Sequence, residues 1–533
     1  MTLEGFVPWP EDLARAYRER GYWLGRSLGS LLRDAAAAWP DRTALVDGAR
    51  RITYAQLDTR ADRLAAGLAA REIRAGERVL VHLPNVAELV ELIFALLRLG
   101  AVPVLTLPAH RETEIMALAR LSGAVAYVVP DLHVGHDHRP LARLVRERVP
   151  SVREVLVAGD AQELTPLAAL DASPLDLPEP DPTDVAVLLL SGGTTGVPKL
   201  IPRTHDDYLY NATASAEVTG LDGDTRYLAV LPVAHNFPLA CPGVLGTFAV
   251  GGTVVLARTP DPIECFALIE RERVTVTALV PPLALLWLDA VEWVEADLSS
   301  LTLLQVGGAR LKAEAAVRVR PVLGCALQQV FGMAEGLLNY TRLDDPDELV
   351  VDTQGVPLCE ADELRLVGPD DVEVAPGEIG ELLTRGPYTL RGYYRAAEYN
   401  RTAFTPDGFY RSGDLVRRLP SGHLVVEGRV KDVINRGGEK VPVEEVENLL
   451  LGHPGVHDVA LVGVPDETFG ERSCACVVAR GIPPTRAGLA AHLTALGVAD
   501  YKLPDRLRVF DVLPRTGLGK VDKRALARLL TGG

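Results

Sequence analysis

A chain of 533 residues, 48% of them hydrophobic and 24% charged, is too long for one hydrophobic core and apolar enough to be globular throughout. Its formal net charge of −16, with no long Lys/Arg run, excludes nucleic acid as the main partner while leaving room for a small anion to bind locally. The N-terminal stretch mixes Asp and Glu among its apolar residues, and the nearest approach to a membrane-length run, 278–288, is broken by Pro281-Pro282, so a soluble cytoplasmic protein with no membrane partner is expected.

Residues 27–38 have helical periodicity, 43–54 read as a hairpin about Asp47-Gly48, and 54–70 form a strongly amphipathic helix. Strand 78–83, helix 86–97 and strand 101–107 then begin an alternation that continues through strands at 124–129 and 155–157, the pattern of a parallel sheet covered on both faces.

The apolar run 188–190 breaks into Ser191-Gly192-Gly193-Thr194-Thr195-Gly196-Val197-Pro198-Lys199. Glycines let backbone N–H groups converge, hydroxyls add donors and Lys199 adds a mobile positive charge, a combination suited to holding a polyphosphate. It is not a Walker loop, because Val197 and Pro198 separate the last glycine from the lysine and Leu200 follows it.

Strands predicted at 227–231 and 253–256 bracket a segment in which polar His235 and Asn236 lie between prolines, followed by Phe237 and Cys241. Buried strands at 275–280 and 301–306 come next, the second running into Gly307-Gly308-Ala309, where a flat ring could approach the backbone. Val330 opens the box Val330-Phe331-Gly332-Met333-Ala334-Glu335. From 364 to 427 the texture changes to short strands with Gly and Pro turns, a small antiparallel or barrel-like subdomain, within which Asp414 at a turn offers an acceptor for sugar hydroxyls. The polar segment 428–432 is a candidate boundary. Beyond it come a helix at 441–450, strands at 458–462 and 474–478, a helix at 486–496 and a basic stretch containing Lys520, a region large enough to fold alone. The six cysteines are scattered, and although Cys474 and Cys476 share one face of a predicted strand, no His or Cys pair matches them, so neither a disulfide nor a metal cage is expected.

With the motifs at 191–199, 331–335, 410–414, 428–432 and 514–520 in this order, the sequence resembles the adenylate-forming superfamily of acyl- and aryl-CoA ligases, peptide-synthetase adenylation domains and luciferases. The segment 235–239, the box 330–335 and Asn435-Arg436-Gly437-Gly438-Glu439-Lys440 resemble most closely the stand-alone aryl-acid AMP ligases of siderophore and related nonribosomal peptide pathways. The resemblance implies an α/β fold with a large N-terminal domain of parallel-sheet subdomains plus a small β-barrel-like one (1–428), a hinge (429–431) and a small mobile α+β C-terminal domain (432–533). It implies two half-reactions. An aryl carboxylate attacks the α-phosphate of ATP to give an aryl-adenylate and pyrophosphate, and a thiol then takes the acyl group and releases AMP.

In that scheme Lys520 bridges the carboxylate and the α-phosphate, countering the charge that grows as two anions meet. Glu335 is the Mg²⁺ ligand. Ser191, Gly192, Thr194, Thr195 and Lys199 hold the phosphates, Gly308, Ala309 and Val330 border the adenine, and Asp414 and Arg429 take the ribose end. Lys431 is the hinge residue, and rotation brings the Gly437-Gly438 loop to the site, where the pantetheine arm enters. His235, counted with the catalytic residues, also borders the aryl pocket with Asn236, Phe237, Cys241, Gly307 and Leu338. Amino-acid-activating relatives place a carboxylate in the segment corresponding to 235–237. Neutral Asn236 can bond a phenolic hydroxyl but would leave an ammonium uncompensated. Salicylate-preferring relatives have Cys and Leu at the positions of Cys241 and Leu338, where 2,3-dihydroxybenzoate relatives have Ser and Val. Salicylate or a substituted salicylate is therefore the expected substrate, 2,3-dihydroxybenzoate the next, and the expected acceptor is a separate phosphopantetheinylated aryl carrier protein. A coenzyme A ligase and an inactive adenylate-binding protein are the alternatives.

Overall fold

The computed structural model describes residues 3–191, 199–430, 433–436, 439–466, 470–496, 498, 502–516 and 520–531. Gly192, Thr194, Thr195, Lys431, Gly437 and Gly438 lie outside them. The chain divides into two compact units, one of Met1–Glu363 with Thr384–Tyr410 and one of Leu364–Leu383 with Arg411–Gly533.

The first unit is built on two large sheets. A nine-stranded sheet has a parallel interior of Ala326–Met333, Leu303–Gly307, Val276–Leu279, Arg226–Ala229, Thr253–Leu256 and Thr43–Asp47, with antiparallel strands at both edges. A seven-stranded sheet centres on Arg78–Val81, flanked by Val102–Leu105 and Ala126–Pro130, all parallel. The interior strands are largely buried, and most of their positions are apolar, as expected of parallel strands covered on both faces. Tyr54–Ala70 starts where the sequence places it, since the Thr53 hydroxyl accepts from the Gln56 N–H while the Gln56 side chain accepts from the Thr53 N–H. Its apolar face packs with Ala87–Leu99 in the largest core cluster.

Two adjoining elements near the glycine-rich loop are among those with no counterpart in the sequence expectations. Leu200–Thr204 returns antiparallel to Val185–Leu190, and the helix His205–Val218 follows it directly, opened by a capping box of Thr204 and Asp207. The glycine-rich loop is therefore the connection of a hairpin. Ser191 and Lys199 close its neck, the Ser191 N–H donating to the Lys199 carbonyl at 2.9 Å and the Lys199 N–H to Ser191 Oγ at 3.0 Å.

The second unit carries four strands in one row, Glu363–Val367, Ile379–Arg385, Tyr410–Arg418 and Leu424–Arg429, of which the last two are antiparallel. It also carries a sheet around the long antiparallel pair Val456–Asp466 and Gly470–Ala479, with Val443–Leu451 and Arg486–Ala495 sharing one apolar cluster on it. Among the described residues no helix is long and apolar enough to cross a membrane.

Candidate active site

Open α/β sheets bind ligands beyond the carboxyl ends of their parallel strands. The segments predicted to form the aryl pocket and the adenine edge leave the nine-stranded sheet there: Gly307 ends one strand, the 232–236 segment follows another, and Val330 pairs in register with Gly307. A Cβ on Gly307 would meet the Phe237 ring at 3.0 Å and the Val330 carbonyl oxygen at 2.9 Å, so only glycine lets the ring lie against this strand end. Gly308, next to it, has φ +79°, a conformation open to glycine and strained for other residues.

The 232–243 segment is not irregular throughout. Asn236–Ala240 forms a short helix capped by His235, whose Nδ1 accepts from the Phe237 N–H at 3.3 Å. Asn236 is buried, its Oδ1 accepting from the Tyr208 hydroxyl at 2.8 Å and its Nδ2 donating to Cys241 Sγ at 3.3 Å. Asn211 Nδ2 donates to the Ala240 carbonyl at 2.6 Å and lies 3.8 Å from the same sulfur. Leu338 is fully buried on Gly336–Tyr340, which runs antiparallel to Ala326–Met333, and its N–H donates to the Tyr388 hydroxyl at 3.1 Å. No charged side chain makes a hydrogen bond to Asn236 or Leu338 among the described residues.

A buried guanidinium adjoins Tyr208 and Asn211. Arg203, fully enclosed, pairs with Asp207 at 2.7 Å, bonds Asn211 Oδ1 at 3.3 Å and the Ala334 carbonyl at 3.1 Å, and lies 4.7 Å from the centre of the Tyr208 ring. Burial raises the Asp207 carboxyl above its ordinary range and the Arg203 charge pulls it back.

Through Ala334 that guanidinium touches the next predicted site residue. Glu335 is buried, with Oε1 accepting from the Tyr393 hydroxyl at 2.7 Å, and Tyr393 in turn lies 2.9 Å from the Tyr410 hydroxyl. Burial, then the Glu335 charge, raises the Tyr393 phenol far above its usual value, so it remains a donor. Lys199 sits over the Tyr399 ring at 4.0 Å and 5.7 Å from the Tyr393 ring, so one aromatic pair borders both the loop lysine and the carboxylate.

In the second unit Asp414 is nearly fully buried and accepts from Arg429 Nε at 2.8 Å, while its own N–H donates to Ser412 Oγ at 3.0 Å. Burial raises its carboxyl, and Arg429 first, then Lys520, pull it back. Lys520 is exposed at the end of a turn in which its carbonyl accepts from the Thr516 N–H at 2.7 Å.

Residues 32–394 match the family model for AMP-binding enzymes, and residues 445–520 match the model for the C-terminal domain of the same enzymes. The chain belongs to the aryl-acid AMP ligases of this family. The ligase is 56% identical to a 2,3-dihydroxybenzoate-AMP ligase of Bacillus subtilis, over 99% of this chain and 98% of that one. It is 53% identical to a salicyl-AMP ligase / salicyl-S-ArCP synthetase of Mycobacterium tuberculosis, over 99% and 95%. Among solved structures, apo MbtA of Mycobacterium smegmatis superposes with a TM-score of 0.77 at 54% identity, covering 99% of both chains. A family of this kind uses ATP.

Sequence reasoning about this ligase missed Arg203, Tyr208, Asn211, Tyr393 and Tyr399. The Thr204-x-x-Asp207 capping box was the available signal for the helix that carries Tyr208 and Asn211. Nothing local marks Tyr393 and Tyr399, whose neighbours come from distant parts of the chain.

Proposed function

We propose that the ligase activates an aryl acid bearing an ortho hydroxyl, salicylate or a substituted salicylate first and 2,3-dihydroxybenzoate next. It then passes the aryl group to the phosphopantetheine thiol of an aryl carrier protein in siderophore-type biosynthesis in the cytoplasm. The observation carrying the substrate assignment is Asn236, a buried neutral amide hydrogen-bonded to a phenol and a thiol, where a substrate ammonium would find no counter-charge. The names of the relatives support both the acid and the carrier.

In this reading Phe237 lies along the ring, Gly307 gives it room, and Cys241 and Leu338 bound its substituted edge, with His235 holding the segment in place. The carboxylate oxygen attacks the α-phosphorus of ATP, the bond to the bridging oxygen breaks, and pyrophosphate leaves. Lys520 offsets the charge of the two anions as they meet. Ser191, Gly192, Thr194, Thr195 and Lys199 hold the outer phosphates, Gly308, Ala309 and Val330 the adenine, and Asp414 and Arg429 the ribose. Glu335 is a buried hard oxygen donor with the Tyr393 hydroxyl on Oε1, and a carboxylate of this kind fits magnesium, an ion that takes one or two carboxylates and leaves its other positions to phosphates and water. Magnesium bound there would neutralise phosphate charge. In the second half-reaction the carrier thiolate attacks the carbonyl carbon of the adenylate and AMP leaves. The 432–533 domain turns about Lys431 between the steps, and the Gly437-Gly438 loop admits the pantetheine arm.

Exchange of labelled pyrophosphate into ATP should depend on added salicylate and on Mg²⁺, and the thioester should form faster on an aryl carrier protein than on free coenzyme A. ATP binding with no exchange on any benzoate would instead establish an inactive nucleotide-binding protein.

A further inference from the structure

Asn236 presents two different groups, and which one faces the substrate decides what it recognises. Three observations fix this. Tyr208 has no hydrogen-bond partner among the described residues except Asn236, and it is fully buried. A buried hydroxyl with one neighbour donates to it, because the reverse arrangement leaves its hydrogen unpaired. Burial also raises the Tyr208 phenol well above its ordinary value, so the proton stays in place. The Asn236 oxygen therefore turns to Tyr208 and the NH₂ turns away, one hydrogen going to Cys241 Sγ. The other takes no partner among the described residues. Tyr208 cannot readily swing aside, because its ring lies under the Arg203 guanidinium, itself tied to Asp207, Asn211 and the Ala334 carbonyl.

We propose that Tyr208 is a positioning residue that locks the Asn236 amide with its N–H toward the aryl acid, so that the pocket reads the ortho substituent as a hydrogen-bond acceptor. The proposal rests on the aryl-acid reading above and adds the polarity of recognition to it. An ortho hydroxyl meets this demand in its ordinary ionic form: its hydrogen bonds internally to the neighbouring carboxylate, leaving oxygen lone pairs directed outward. The ortho amine of 2-aminobenzoate does not. One of its N–H bonds turns to the carboxylate and the other points outward, so that donor meets donor, while its lone pair is drawn into the ring. The two acids are close in size, and what separates them in this pocket is the direction of one hydrogen bond.

The experiment compares salicylate with 2-aminobenzoate by pyrophosphate exchange in the wild type, Tyr208→Phe and Asn236→Asp, with thermal unfolding run on each. The wild type should prefer salicylate. Tyr208→Phe keeps the ring and frees the amide to turn over, and the ratio of kcat/KM for salicylate to that for 2-aminobenzoate should fall about tenfold, the loss expected when one buried hydrogen bond no longer discriminates. KM for ATP should not change. Asn236→Asp keeps an acceptor for Tyr208 but removes the N–H, so 2-aminobenzoate should become the better substrate, a reading that stands even if Tyr208→Phe is poorly folded. A general packing defect would slow both acids alike. An unchanged ratio in folded Tyr208→Phe, or salicylate still preferred by Asn236→Asp, overturns the proposal while leaving the aryl-acid reading intact. Absence of exchange with every benzoate in the wild type would overturn the aryl-acid reading itself.

Discussion

Cys241 is a fully buried thiol whose sulfur already accepts an amide N–H, and burial pushes its pKa up to about 12, so in the proposed pocket it would meet a substrate as a neutral and soft group. A 3-hydroxyl placed against it and the Leu338 side chain would lose water without gaining a good partner, at a cost of about 1–3 kcal/mol. Cys241→Ser combined with Leu338→Val should accordingly raise kcat/KM for 2,3-dihydroxybenzoate relative to salicylate by roughly tenfold to a hundredfold, with KM for ATP nearly constant. Competition between the two acids in one exchange assay reads that ratio directly. Tyr393 makes a different case, because its hydroxyl bonds a charged group and not a neutral one. Tyr393→Phe removes a donor to the Glu335 carboxylate, worth about 1.5–3 kcal/mol. It should raise the Mg²⁺ concentration needed for half-maximal exchange by about tenfold or more, with KM for salicylate little changed; equal changes in both would show that Tyr393 supports the fold and not the carboxylate.

Among the elements, several that repeat an apolar pattern were legible, whereas two organised around buried polar groups were not. Tyr54–Ala70 combines a capping box with a continuous apolar face, and Thr253–Leu256 is an unbroken buried strand, so both fall where the pattern puts them. Leu200–Thr204 carries Pro202 and Arg203 in its middle, and His205–Val218 buries His205, Asp206, Asp207 and Asn211, which interrupt any apolar period. Their burial is sustained by long-range bonds such as Arg203 to Ala334 and Leu28 N–H to His205 Nδ1, invisible in local sequence. Family resemblance named positions for an aryl pocket; the hydrogen bonds that hold Asn236 among them were not legible, because they run through this helix.

A second polar cluster, at the carboxyl ends of the seven-stranded sheet, makes a prediction of its own. His82 bonds the Tyr127 hydroxyl at 2.8 Å through Nδ1, and neither ring nitrogen of buried His138 has a hydrogen-bond partner among the described residues. The His138 ring meets those of His82 and His136 edge-on at 5.0 and 4.7 Å. Burial first, then His138, His110 and Arg111, against partial relief from the Pro108 backbone, depresses His82 to about 3; burial first, then His136, Arg111 and His133, against partial relief from Asp137, depresses His138 to about 4. Groups depressed in the folded state stabilise it above their unfolded pKa of about 6.5 and surrender that stability as pH falls from there toward 4 and 3. The melting temperature should therefore drop between pH 7 and pH 5, and His138→Phe, which keeps a flat ring and removes the titrating nitrogens, should flatten that drop. Parallel wild-type and variant curves across the range would show that this cluster does not set the acid limit.

At the scale of the whole molecule the candidate groups divide between the units. Lys199, Glu335 and the aryl pocket belong to the first, whereas Asp414, Arg429 and Lys520 belong to the second. A lysine whose task is to offset charge as carboxylate meets phosphate is needed only while those anions approach, and the thiol step that follows begins from a neutral carbonyl and needs none of it. Lys520→Ala should therefore slow adenylation by about a hundredfold to a thousandfold, the loss typical of removing one transition-state charge partner. Supplied with preformed aryl-adenylate, the same variant should load carrier protein at close to the wild-type rate. Lys431→Pro tests the other half of the cycle, since a fixed φ at the proposed hinge should impede the turn between steps without touching the adenylating groups. It should leave pyrophosphate exchange nearly normal and slow thioester formation. Single-turnover measurements of each step separate these outcomes. If both variants lost both steps equally, one fixed arrangement of the two units would have to serve both reactions, and the division of labour between Lys520 and the Gly437-Gly438 loop would be wrong.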